Sequence, residues 1–201
     1  MRRRSWQILG WIVTALVLGG ATPLHADDLL PQPGSWEMGL RSGYSLGWRN
    51  VDMVPVNVRI GYTLFKGQKW IIPRGAFEIG IEPFASVITR VAHPDKRSGS
   101  LELGGLLPVL TYYFDLGYNV YPYFEGGLGM LYTDLRGYHL GGHFSFTETF
   151  GTGVTYFLNE RLALSVGWRF RHISNAGLYD DNAGLNSNIF LVGFSYFLPP
   201  R

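Results

Sequence analysis

Apolar and polar side chains alternate with a period of two along most of the chain, the pattern of strands with unlike faces. Over residues 36–48 one parity reads Met38, Leu40, Ser42, Tyr44, Leu46 and Trp48, and the other Glu37, Gly39, Arg41, Gly43, Ser45 and Gly47. Over residues 54–64 Val54, Val56, Val58, Ile60, Tyr62 and Leu64 share one face, with Pro55, Asn57, Arg59, Gly61 and Thr63 on the other. Near residues 77–87, Phe77, Ile79, Ile81, Ala85 and Val87 alternate with Glu78, Gly80, Glu82 and Ser86. Further runs occupy Leu101–Phe114, residues 120–135 and 144–158, Leu162–Ser174 and Leu185–Leu198. The pattern therefore predicts about eight strands. Leu101–Phe114 is nearly apolar on both faces, so its parity stays open.

The chemistry of the two faces decides which one points inward. The apolar parity is large and aromatic; the other is small, polar or charged. A soluble barrel would bury the large apolar face, whereas a membrane barrel turns it to lipid and keeps the polar face in the lumen. The runs of about 10–14 residues also suit tilted spans better than a soluble sheet. In lipid only closure removes the sheet edges. The expected fold is all-β: an eight-stranded antiparallel transmembrane β-barrel of the outer membrane. A barrel of that size is filled by side chains. Arg41, Arg59, Glu78, Glu82, Glu125, Arg169 and Arg171 on the inward parity can pair there, which predicts a plugged support rather than a pore.

Residues 1–26 read as a signal peptide. Arg2, Arg3 and Arg4 precede an apolar run too short to span a bilayer, and small residues lead up to Leu24-His25-Ala26. The barrel domain is then 27–201. Removing the signal leaves 14 basic against 15 acidic side chains, so the basic balance belongs to the signal and gives no electrostatic case for nucleic acid. The absence of cysteine excludes disulfides and thiolate chemistry. An N-terminus in the periplasm makes odd strands run outward. Leu162–Ser174, the seventh, then ends at the extracellular rim, and Asn159-Glu160-Arg161 forms a short periplasmic turn.

Candidate chemistry lies at that rim, in Arg171-His172-Ile173-Ser174-Asn175-Ala176-Gly177-Leu178. His172 and Ser174 are two apart on a strand and share a face, about 6.6 Å apart along it. Their parity is that of Leu162, Leu164, Val166, Trp168 and Phe170, the lipid-facing one. Polar groups there are costly deep in the bilayer and tolerable at its interface.

The run HISNAGLYDDNAGL, from His172 to Leu185, resembles the signature of the outer-membrane lipid A 3-O-deacylases, the acyloxyacyl hydrolase-like barrels. The resemblance implies a serine-type ester hydrolase acting on lipid A or lipopolysaccharide from the lipid-facing wall near the rim, with no metal or organic cofactor. It implies Ser174 as nucleophile and His172 as general base. Asn182 matches an oxyanion-hole asparagine, and Gly177 a nearby loop position; Asn175 lies in the same loop. Where the family carries an acidic Glu, this chain has Asn186. Such a residue orients the histidine and supports its charge, and Asn can do only the first. Asn186 shares the outward parity of Phe190, Val192, Phe194 and Tyr196.

A second candidate comes from strand register. If Leu158 pairs with Leu162 across a three-residue turn, Glu148 falls opposite His172. Its parity is that of Phe146, Phe150, Val154 and Tyr156, and a carboxylate facing lipid calls for a partner. Three weaker signals carry less. Gly43-Tyr44-Ser45-Leu46-Gly47 has the spacing of a nucleophile elbow but sits within strand alternation with Ser45 inward. Gly126-Gly127-Leu128-Gly129 lacks a following helix and reads as strand glycine. His139 and His143 lie in a Gly-rich loop without nearby carboxylates, so no metal site is expected. The competing functional classes are a non-enzymatic structural or adhesion barrel with a degenerate site, and an acyltransferase barrel.

Overall fold

A computed structural model describes residues 29–47, 51–69, 72–91, 101–135 and 138–200. The expected signal peptide, residues 1–26, lies outside them. Eight strands follow one another: β1 (Trp36–Gly47), β2 (Val51–Lys69), β3 (Ile72–Val91), β4 (Leu101–Phe114), β5 (Val120–Thr133), β6 (Phe144–Phe157), β7 (Leu162–Ser174) and β8 (Leu185–Leu198). Each pairs antiparallel with the next, and β1 pairs with β8 to close the barrel. The polar parity is inside and the apolar parity outside: Arg169 and Arg171 are buried, while Val166, Phe190 and Phe194 are exposed on the outer wall. This inversion of a soluble core makes the sheet stable in lipid, where closure pairs every strand edge.

The alternation stops short in sequence where the strands carry bulges. β2 runs past Leu64 to Lys69 because one extra residue sits between Thr63 and Phe65, shifting the pairing with β3. Leu64 and Phe65 both face out, so the period of two breaks while the strand continues. β3 likewise extends beyond residues 77–87 to Ile72–Val91 across two further register shifts. The open parity of β4 has the same cause. The register shifts between Leu106 and Val109, so Glu102 and Leu106 point inward before the bulge and Val109, Thr111 and Tyr113 after it.

The lumen is layered. Its middle holds a buried ion network: Arg59 Nε lies 2.7 Å from Glu37 and its Nη2 2.6 Å from Glu78. Arg169 bridges Glu82 at 2.5 Å and Glu125 at 2.7 Å, Arg41 holds Glu125 at 2.8 Å, and Arg171 holds Glu102 at 3.0 Å. Apolar clusters close it above and below. One gathers Met53, Phe84, Ile88, Leu131, Leu140 and Ile173; the other Leu29, Leu30, Tyr113, Tyr121, Phe157 and Phe197. Paired charges between apolar plugs make a rigid post with no open channel among the described residues. The described residues 138–143 and 175–184 lie together at one end of the barrel, where Ser174 ends β7. The short turns 115–119 and 158–161 share the other end with the first and last described residues.

Candidate active site

The register of β6, β7 and β8 assembles one rung of outward side chains. Glu148 pairs with His172, and His172 with Asn186. The turn that sets the first pairing is the expected one, with Leu158 N donating to Leu162 O at 2.8 Å. One rung nearer the loops, Ser174 stands opposite Phe146. His172, Ser174 and Asn186 are half-buried and Glu148 is exposed.

His172 Nδ1 lies 2.6 Å from Asn186 Oδ1. An amide oxygen can only accept, so Nδ1 carries the hydrogen and Nε2 presents its lone pair. The ring edge bearing Nε2 is packed under Gly184. A β-carbon at Gly184 would stand 2.8 Å from His172 Cε1 and 3.3 Å from Nε2, and the backbone there has a positive φ of 68°. Both conditions call for glycine. Ser174 follows on the same face, and among the described residues no hydrogen bond joins it to His172. Such bonds commonly tighten only around bound substrate.

The loop after Ser174 is organised by Asn175. Its side chain is buried and donates to Leu140 O and Asp181 O, both at 2.9 Å, while its Oδ1 accepts Gly177 N–H at 2.8 Å. Ala176 and Gly177 take positive φ values of 53° and 83°, and Leu178 N–H returns to Asn175 O at 3.0 Å. That is a tight type I′ turn. Asn182 Oδ1 accepts Asn175 N–H at 2.8 Å. The N–H and side chain of Asn175 and the N–H of Gly177 are thus engaged by this loop and its neighbour, and the Nδ2 end of Asn182 has no acceptor among the described residues.

The neighbouring β5–β6 loop braces this one: Gly184 N–H donates to His139 O at 3.2 Å. His139 Nδ1 is 4.0 Å from Asp181 Oδ1, whereas His143 stacks on Tyr132 with ring centroids 4.7 Å apart, so the two histidines serve different contacts. No cluster of metal-ligating side chains occurs among the described residues. Ser45 is buried in the lumen within β1, away from the rung. Two positions escaped sequence reasoning. Gly184 is the last residue but one of the signature run, and its need for glycine appears only with the ring beneath it. Asn188 accepts Trp168 Nε1–H at 3.1 Å on the outer wall, and its outward parity was the available signal.

A sequence model of the lipid A 3-O-deacylase (PagL) family matches residues 56–195. The chain belongs to the lipid A 3-O-deacylase family. The match spans β3 to β7 entirely, and the whole rung with its loop. The barrel resembles the crystal structure of the outer membrane enzyme PagL, at 22% identity over 78% of this chain and 97% of that one, with a TM-score of 0.55. It also resembles the crystal structure of Neisserial surface protein A (NspA), at 16% identity over 81% and 96% of the two chains, with a TM-score of 0.57. At these identities the likeness is one of fold, and it is a fold of outer-membrane barrels. No curated protein sequence matches the chain. Membership makes the chain a lipid A deacylase barrel of the outer membrane; the division of labour among the residues of the rung has to be argued from their geometry.

Proposed function

We propose that the chain hydrolyses the 3-O-linked acyl ester of lipid A by a serine mechanism on its lipid-facing wall, near the extracellular rim. The observation that carries this is the 2.6 Å bond from His172 Nδ1 to Asn186, on the outward face of a barrel, two residues before Ser174. A held Nδ1–H leaves Nε2 as base. Nε2 takes the proton of Ser174 Oγ as Oγ attacks the ester carbonyl. The negative charge develops on the carbonyl oxygen, where Asn182 Nδ2 is the donor best supported by its free amide end. Collapse breaks the bond to the sugar oxygen, which takes the proton back from Nε2, and the acyl chain stays on Ser174. A water then gives its proton to His172 and attacks the acyl carbon, releasing the fatty acid and restoring Ser174. Asn175 and Gly177 act in this scheme by holding the loop that presents Asn182. Glu148 acts by placing a carboxylate across the rung from His172. An active site on the outer wall suits a substrate that never leaves the membrane.

Ser174→Ala tests the scheme. The variant is expected to give a folded, heat-modifiable barrel that leaves the mass of lipid A unchanged, where the parent removes one acyl chain. Parental deacylation by the folded variant would rule Ser174 out as nucleophile. A parent that leaves the mass unaltered would favour a structural barrel, and one that adds an acyl chain a transferase.

A further inference from the structure

A groove of about 500 Å³ opens on the outer wall against His172 and Glu148, and it continues sideways rather than down β7. Directly below His172 the wall is filled. Phe150 stands 5.2 Å from Phe170 and 5.7 Å from Trp168 between ring centroids, and Trp168 is tied to Asn188. The next rung reads Phe170, Phe150, Gly126 and Leu110 across β7, β6, β5 and β4. Gly126 has the outward parity of the exposed Phe124 and Leu128, so the wall lacks one side chain there. A β-carbon at Gly126 would meet only Thr149 O, at 3.7 Å. The gap lets the groove reach Gly127 and Thr149, positions of lumen parity. Glycine is therefore not demanded by crowding at this position; its effect is to leave a trough in an otherwise aromatic wall.

We infer that this trough receives the acyl chain being removed, and that Gly126 makes room for its distal part. The inference rests on the Ser174–His172 reading, which puts the ester carbonyl at the groove's upper end. From β7 to β4 the path crosses three strand spacings, roughly 14 Å, enough for about ten extended methylenes. Gly126 is thereby a specificity-determining residue for chain length. Filling the trough penalises long chains and spares short ones, because a short acyl group ends before reaching Gly126. One extra or missing methylene in an apolar pocket is worth about 10–200-fold.

The test compares kcat/KM for butyryl and tetradecanoyl 3-O-esters of glucosamine, using the purified folded barrel. Gly126→Leu is expected to lower the tetradecanoyl-to-butyryl ratio at least about tenfold, with Gly126→Ala shifting it the same way by less. Val192→Phe, on the far side of His172 on the outer wall of β8, is expected to leave the ratio unchanged. An unchanged ratio in both Gly126 variants, or an equal shift from Val192→Phe, would overturn the inference. Ser174→Ala separates the two proposals. If it is inactive while the Gly126 ratio does not move, the trough is wrong and the scheme stands. If it retains parental turnover, the scheme fails whatever the ratio does.

Discussion

The sharpest perturbation of the rung is Glu148→Gln, which removes a charge with almost no change of shape. In the proposed scheme His172 carries a positive charge each time it holds the serine proton. Its hydrogen-bonded partner, Asn186, orients it at 2.6 Å without opposing that charge. Replacing a triad Asp by Asn in a serine protease costs about 10⁴ in kcat through the wrong tautomer. Here the tautomer is correct, so the missing quantity is electrostatic. Glu148 is directly opposite His172 in register. Opposite β-carbons in an antiparallel pair are about 4.5–5.5 Å apart, so the two charges can stand about 6 Å apart. Two unit charges at that distance interact by about 0.7 kcal/mol in water and about 2.8 kcal/mol at an effective dielectric of 20. Glu148 is exposed on the outer wall, and the interfacial position proposed for it falls between these limits, which gives about 1.4 kcal/mol, or about tenfold in rate.

Glu148→Gln is therefore expected to lower kcat about tenfold in single-turnover deacylation of lipid A by the purified barrel. Asn186→Glu is expected to gain little in the parent, which already has its carboxylate, and to rescue Glu148→Gln. The rescue is the diagnostic part, because damage to packing at Glu148 would not be repaired from the other side of His172. A double-mutant cycle should return a coupling of about the same 1.4 kcal/mol. Turnover at the parental rate by well-folded Glu148→Gln would refute the reasoning and leave Asn186 as the sole support of the base.

Two further outcomes follow from the structure. Gly184→Ala forces a β-carbon to within 2.8 Å of His172 Cε1, so kcat should fall while the temperature at which the barrel loses its heat-modifiable form changes little; an unaffected kcat would mean that the ring has other room. Arg59→Met leaves Glu37 and Glu78 without their closest cation and should destabilise the barrel by about 3–5 kcal/mol in urea titration.

How much of this was legible in the sequence depends on the range over which each feature is encoded. The barrel was legible because lipid and lumen impose opposite chemistry on alternate residues, so Trp168, Arg169, Phe170 and Arg171 each declare their side. A single inserted residue, as at Leu64 or at Leu107-Pro108, reverses that declaration without changing composition. That is why β2 and β3 run longer than their alternation and why β4 read as apolar on both faces. The rung was legible for a related reason. His172 and Ser174 share a strand, and a short turn between Leu158 and Leu162 carries Glu148 to His172 with no slack to absorb an error.

The loop was not legible, because its order is non-local. Asn175 reads as a polar residue beside Ser174, yet its side chain is bound to Leu140 on another loop and to Asp181 in its own. Gly126 was the least legible of all. Among so many strand glycines it carries no mark of its own, and its consequence exists only once Phe150 and Leu110 are in register on either side. A missing side chain becomes a site only through its neighbours. Features of the outer wall that distinguish one deacylase from another should therefore be sought in cross-strand rungs such as Phe170–Phe150–Gly126–Leu110, read as a unit, rather than along any single strand.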